Sequence, residues 1–349
     1  MSLTVILICA FISAAMLAFA IGAYAAGRIK LKRAVKPIEF YPPRGYSPID
    51  VMNKYYTYNA NPHDAINPIM LYWASRGFIT IEEDCKRGLK LTKLKNLTPP
   101  DNIPNGKEGE SVRKNYVTEK TYFDELFGGG KVFYTLAAPS SMQSANERFV
   151  KECKGDRLER RTKTTKKLSA LVMLFAVLSV IIVSAINMAR DNYALYIAML
   201  FPTIALVLIR AIPSDGEGFE KMLKYPFIFV WGGAPFGAVL SFASPTARIS
   251  LAVAYVVAVI SVFISTRLEI KSDMDAEIYG RIAAFKRFLL EAEIDRLETL
   301  IEENPNYYFD ILPYCYILKI TKKLKPKFER ITTDGPSWYL GSLRDTLMF

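Results

Sequence analysis

The residues able to do chemistry in this chain are few and scattered. Its one histidine, His63, stands beside Asp64 in Asn61-Pro62-His63-Asp64, a stretch that reads as the start of a helix. A single imidazole with no second His and no nearby Cys does not make a metal site, and a capping or surface place suits it better. The four cysteines, Cys9, Cys85, Cys153 and Cys315, are isolated, so free thiols are expected and no disulfide framework is implied. Gly128-Gly129-Gly130-Lys131 has the residue types of a phosphate loop but not the Gly-x-x-x-x-Gly-Lys-Ser/Thr spacing. It also follows a helical pattern where a phosphate loop follows a strand, so it reads as a helix stop and turn. The carboxylates Glu291, Glu293, Asp295 and Glu298 fall along one charged helix, where solvation is their ordinary state. No Gly-x-Ser-x-Gly elbow, His-Glu-x-x-His pair or dinucleotide fingerprint occurs. The sequence therefore nominates no catalytic, no cofactor-binding and no metal-ligating residue. The expectation is a protein that is not an enzyme and uses no cofactor.

The elements that must carry these residues are set by hydropathy. Residues 1–27 hold no charge, and apolar runs recur at 168–189, 192–209, 225–247 and 249–266. Each is long enough, or nearly so, for a hydrocarbon core that needs about 17–25 residues. The expected fold class is thus a multi-pass α-helical membrane protein with five transmembrane helices. No ionisable side chain interrupts the five runs, and buried charges are what mark ion or proton paths. Pro202, Gly232, Gly233 and Pro235 resemble the helix breaks of transporters. Such residues are also common in packed membrane helices, and packing is the favoured reading.

Charge sets an expected orientation. Of the formal net charge of +11, residues 28–167 hold 27 Lys and Arg against 16 Asp and Glu. Arg28, Lys30, Lys32, Arg33 and Lys36 follow the first run, and Arg157, Arg160, Arg161, Lys163, Lys166 and Lys167 precede the second. Basic residues flanking a span favour the cytoplasmic side. The N-terminus is then outside and 28–167 is cytoplasmic, with 190–191 outside, 210–224 inside, 244–248 outside and the tail from 267 cytoplasmic, all in a bacterial inner membrane. Ala23-Tyr24-Ala25 offers a rival, a cleaved signal peptide. The uncharged start and the length of the apolar run argue for a retained helix. The basic flanks at 28–36 and 157–167 also attract anionic lipid head groups, at about 1 kcal/mol per residue.

Within 28–167 the pattern is α+β. Ser47-Pro48 starts a short helix to about Tyr56, and Ile66, Ile69, Met70, Trp73 and Ala74 recur at helical spacing up to Arg76-Gly77. Residues 78–82 and 89–94 alternate as a hairpin. Two helices and a hairpin over about 41–95 outline a winged helix. In a DNA-binding version Lys86, Arg87 and Lys90 would meet phosphates, yet the second helix carries no Arg or Lys before Arg76. Protein contact or simple packing is favoured, and nucleic acid is not an expected partner. Residues 96–115 read as a polar loop, Thr118 as the cap of a helix ending at Gly128, 131–136 as a strand, and 140–167 as a polar helix leading into the second run.

The tail, 267–349, is expected to be a cytoplasmic helical domain. Ile278, Ile282, Phe285, Leu289, Leu297 and Leu300 keep one helical stripe over about 30 residues. Asn304-Pro305 follows, then Tyr307-Tyr308-Phe309-Asp310-Ile311-Leu312-Pro313-Tyr314-Cys315, and finally Phe328-Glu329 and Pro336-Ser337-Trp338-Tyr339. With Tyr41-Pro42-Pro43, Ser47-Pro48 and Ala74-Ser75-Arg76-Gly77-Phe78, this resembles the YciQ-like predicted membrane proteins of bacteria, a domain of unknown function (2207). The resemblance covers roughly 40–349 and implies architecture more than activity. Cys315 stands where that family usually has Ala, and the family's extracellular β-rich domain is missing from the N-terminal side. The expected function is a non-catalytic, membrane-anchored cytoplasmic interaction or scaffold module, with the lipid bilayer and unidentified cytoplasmic or membrane proteins as partners. A transporter or channel component is the alternative, and a membrane-tethered DNA-binding regulator a third reading.

Overall fold

The structure, a computed structural model, describes residues 3–35, 38–56, 61–84, 86–137, 139–159, 162–187, 193–211, 218–331 and 335–340. Helix α1 (Leu3–Ala34) is followed by α2 (Pro48–Tyr56), α3 (Ile66–Ser75), strands β1 (Ile79–Asp84) and β2 (Gly88–Lys93), α4 (Gly106–Phe127), β3 (Val132–Tyr134) and α5 (Pro139–Glu159). Then come α6 (Lys163–Asn187), α7 (Tyr193–Ala211), α8 (Gly218–Phe242) and α9 (Pro245–Arg267). Last are α10 (Asp273–Glu291), α11 (Ile294–Glu303), α12 (Tyr307–Ile317), α13 (Thr321–Ile331) and β4 (Tyr339–Leu340). The chain forms two units, Met1–Leu31 with Arg161–Ser272 and Lys32–Arg160 with Asp273–Phe349.

The first unit is inside out by the standards of a water-soluble protein. Small residues, among them Ala20, Ala176, Ala254, Ala258 and Ser261, are buried, while Phe11, Leu174, Phe175, Val256 and Phe263 are exposed. Small residues let helix backbones approach where no hydrophobic force drives them together, and large apolar side chains outside suit lipid. The Ser169 hydroxyl donates to the Ser265 carbonyl at 2.9 Å, tying α6 to α9. Three helical stretches, Thr4–Ala34, Lys163–Asn187 and Pro245–Arg267, are long and apolar enough to cross a membrane. The other two expected spans fold as α7 and α8, whose described apolar stretches are shorter, Met199–Leu208 and Val230–Phe242. Pro202, Pro226 and Pro235 lie within these two helices, and neither helix is broken at them. A Cβ on Gly232 would lie 2.5 Å from the Cβ of Ala205, so that glycine is needed for close packing. The fourth apolar run stops at Phe242 and not at Ala247, because Ser244 caps α9, accepting from the Ala247 amide, with Pro245 in the first turn. The predicted outside turn at 190–191 and residues 212–217 of the predicted inside loop lie outside the described residues, while the rest of that loop, 210–211 and 218–224, is helical and belongs to α7 and α8.

The second unit is built around one apolar core shared by both of its segments. Its four-stranded sheet has the order β3-β2-β1-β4, antiparallel except where β4 runs parallel to β1, with Ile81 opposite Tyr339. Helix α3 is buried along nearly its whole length, from Pro68 to Ala74, and packs against α12. The late segment is stitched to the early one by polar bonds: Tyr307 Oη donates to the Phe40 carbonyl at 2.7 Å, Tyr314 Oη to the Tyr46 carbonyl at 2.8 Å, and Arg281 Nε to Glu39 Oε1 at 2.9 Å.

Three expectations change here. The loop assigned to 96–115 ends at Asn105, and α4 begins at Gly106, twelve residues before Thr118. Gly109 looks like loop chemistry, but a side chain there would strike the Pro104 carbonyl oxygen, so the glycine lets the chain turn tightly into the helix. The polar helix expected over 140–167 is two helices, α5 ending at Glu159 and α6 starting at Lys163. The single tail helix is α10 and α11, parted at Ala292–Glu293.

Candidate functional site

A polar seam runs through the core of the second unit. It starts at the head of α2, where Ser47 and Asp50 form a reciprocal cap: the Ser47 amide donates to Asp50 Oδ2 at 2.8 Å and the Asp50 amide to Ser47 Oγ at 3.4 Å. Asn115 of α4 donates to the other Asp50 oxygen at 2.6 Å and accepts from Asn53 at 3.4 Å. One turn on, Glu119 accepts the Trp73 indole N–H at 2.7 Å. At the other end Glu108 accepts from Tyr46 Oη at 3.1 Å and pairs with Lys54 at 2.9 Å, and Lys54 reaches Asp275 of α10 at 2.6 Å. Burial pushes the Asp50 carboxyl up to about 6, against the bonds from Asn115 and Ser47. Burial lifts Glu119 further, to about 8, the Trp73 N–H opposing it and the nearby Asp50 charge adding to it. Burial works against the Lys54 ammonium, but Asp275 and Glu108 more than offset it, and its pKa is raised.

Two clefts of about 430 and 440 Å³ flank the C-terminal end of α3. That end is a Schellman motif: the Gly77 amide bonds the Ala74 carbonyl at 2.9 Å and the Phe78 amide the Trp73 carbonyl at 2.8 Å, with Gly77 at φ 71°. The motif fixes Arg76 at the helix cap, where it lines both clefts. Its guanidinium lies 5.8 Å from the centre of the Tyr72 ring, and among the described residues its ion pair, to Asp101, is long at 3.9 Å.

The first cleft is walled by residues 41–46, 100–102 and the α12 residues Asp310, Ile311 and Tyr314. Its floor is drawn tight where Gly45, at φ 80°, backs onto the carbonyl of Asn102, itself left-handed at φ 61°. Asp310 accepts from Asn304 at 3.1 Å; burial raises its pKa while Asn304 and Arg76 pull it down. The Tyr72 and Tyr314 phenols are pushed up by burial and stay protonated. The second cleft is walled by residues 95–101, Phe78 and Glu119, with Tyr116 Oη anchoring the Leu97 carbonyl at 2.9 Å.

The residues singled out from sequence lie elsewhere. His63 is exposed in a 3₁₀ turn, Pro62–Ala65, next to Asp64, whose carboxylate pairs with Lys319 at 2.8 Å. Cys9, Cys153 and Cys315 are buried thiols in no disulfide, and burial pushes the Cys315 thiol up. Cys85 lies outside the described residues. Gly128 caps α4 in the left-handed region, and the Gly130 amide closes the turn on the Phe127 carbonyl. Glu291, Glu293, Asp295 and Glu298 are exposed around the α10–α11 break, and Lys86 and Arg87 at the hairpin tip. Sequence reasoning missed Glu119 and Asn115 as buried groups. The signal was present: Val112, Asn115, Glu119, Tyr122 and Leu126 follow at spacings of three and four, one buried face of a helix.

Fold and composition define a mostly helical membrane protein with a mixed-sheet polar unit. More particularly, the chain belongs to the family described as predicted membrane protein (DUF2207), C-terminal domain, whose model matches residues 37–328. No curated protein and no solved structure matches it. The structure adds a convergence. Tyr41-Pro42-Pro43, Ser75-Arg76, and Asp310 with Ile311 and Tyr314, far apart in the chain and all within motifs that carry the resemblance, meet on the first cleft.

Proposed function

We propose that this chain is a membrane-anchored cytoplasmic binding module without catalysis, whose second unit receives a partner at the clefts around Arg76. The observation that carries this reading is the convergence of three family motifs on one cleft. The buried carboxyls beside it support a structural role for the seam, since Asp50, Glu108 and Glu119 are each held by groups that anchor α2, α3 or α4.

Sidedness in this reading follows from packing and charge together. Residues 32–160 and 273–349 share one core, so an even number of crossings separates them. Helices α6 and α9 supply two, and counting α7 and α8 as a crossing pair makes four, hence five spans in all. Basic flanks at 28–36 and 157–167 favour the cytoplasm for the shared unit, the bacterial inner membrane for the anchor and the outside for the N-terminus. Reporters fused after residues 100 and 349 should both read cytoplasm, and an external signal from either would refute the arrangement.

The alternatives are less well supported. A DNA-binding winged helix would need α3 as its recognition helix, but α3 is buried against α12 and is not free for a groove. The prolines of α7 and α8 lie in unbroken helices, and the Gly232 contact with Ala205 favours packing over a transport site. A photoreactive side chain at Asp101, on the rim of both clefts, should crosslink a partner in intact cells, whereas one at Lys322, exposed on α13, should not. Equal labelling at the two positions would refute the assignment of the cleft.

A further inference from the structure

We infer that the cleft between Arg44 and Arg76 is a binding site for a phosphoryl group, carried either by a lipid head group or by a small soluble phosphate compound. The inference rests on the reading of this cleft as the binding surface and names the chemistry of what it takes.

Two arginines from separate parts of the chain line one concave site, Arg44 from the loop before α2 and Arg76 from the cap of α3. Neither is used up. Arg44 pairs with no carboxylate among the described residues, and the ion pair of Arg76 is 3.9 Å long, to an Asp101 side chain that is 87% exposed. A guanidinium presents five N–H donors in a planar fork that suits phosphate oxygens, and a pair spanning a cleft supplies more donors than a surface ion pair needs. The long bond to Asp101 is the kind an incoming anion displaces at little cost, because exposed ion pairs are weak.

The remaining cleft chemistry fits an anion bound by Arg44 and Arg76. Tyr72 and Tyr314 keep their hydroxyl protons, so the phenols do not add negative charge. Asp310 is the second carboxylate in the cleft; it accepts from Asn304, and burial favours its neutral form. Gly45 and Asn102, both left-handed and in close backbone contact, hold the Arg44 wall against the 100–102 wall.

The test uses the full chain, purified in detergent for one arm and placed in nanodiscs for the other. In the first arm inorganic phosphate is titrated and thermal stability followed, with chloride at matched ionic strength as control. In the second, binding of phosphatidic acid is compared with phosphatidylcholine. The expected result is saturable stabilisation in one arm at least, with affinity weakened tenfold or more by Arg76→Ala and by Arg44→Ala and left unchanged by Arg330→Ala on α13. Arg44 makes no bond to a described neighbour that its loss would break, so its variant separates binding from folding. A response to phosphate assigns a soluble ligand, and a response to phosphatidic acid alone assigns a head group. No response in either arm, or an equal response in all variants, overturns the inference. If crosslinking at position 101 persists in that case, the cleft remains a binding surface for other chemistry; if it too is absent, the functional reading fails with it.

Discussion

Replacing Glu119 by Gln should flatten the fall in stability of the second unit between about pH 6 and pH 8, and leave the variant more stable than the parent above pH 8. Burial lifts the folded-state pKa of Glu119 to about 8 from a model-compound value of 4.5. A carboxyl raised in the folded state adds stability that is fully present below its unfolded pKa and is lost as pH rises through the folded one. Between those limits the unfolded chain releases the proton while the folded chain keeps it. The loss accrues at about 1.4 kcal/mol per pH unit. Asp50, lifted only to about 6, acts in the lower part of that range, so pH 6 to 8 isolates Glu119. Gln retains an oxygen to accept the Trp73 N–H but has no proton to lose. Thermal unfolding of parent and variant at pH 6, 7 and 8 checks this, and parallel profiles would refute it.

Truncating the donor has the opposite sign. Trp73→Ala should cost about 3–5 kcal/mol, the range for deleting a large aromatic side chain from a packed core. Trp73 is fully buried, meets Phe123 edge-on at 4.9 Å and Tyr122 at 5.7 Å, and donates the bond that anchors α4 to α3. Because the two residues share that bond, the double variant with Glu119→Gln should depart from additivity by about 0.5 kcal/mol or more. Denaturant unfolding of the four proteins measures both quantities. A cost under about 1 kcal/mol for Trp73→Ala would mean that the core does not depend on this contact.

Local chemistry made much of the second unit legible before any coordinates. Ser47-Pro48 announced α2, whose described residues run from Pro48 to Tyr56, and the alternating residues on either side of Lys86-Arg87-Gly88 announced the hairpin. The family resemblance rested on short motifs, and the family match bears it out. What stayed hidden was of three kinds. Glycines and charges at 106–110 disguised the first turn of α4, since Gly109 is there for a neighbouring carbonyl and not for a loop. The described part of strand β4 is two residues, too short to show a period, and its partner β1 lies about 250 residues earlier. The clefts escaped for the same reason: Arg44, Arg76 and Asp310 carry no mutual signal in sequence, and only tertiary folding brings their segments together. The polar seam was hidden by a habit of reading carboxylates as surface. Glu119 occupies the apolar stripe of its own helix, and its neighbours there are Asn115, Tyr122 and Phe123.

The parallel pairing of β4 with β1, together with the Tyr307 and Tyr314 bonds to Phe40 and Tyr46, sets an order of events during synthesis. The early half of the core emerges from the ribosome first, yet its closing strand and its clasping phenols are encoded after every apolar helix of the first unit. The faces of α3 and β1 that those late elements cover must therefore wait, uncovered, while α6 to α9 are translated. Domains dominated by such distant pairings fold slowly and are prone to aggregation in the interval. Completion of the second unit is thus a late step of biogenesis, coming only once the apolar helices of the first unit have left the ribosome.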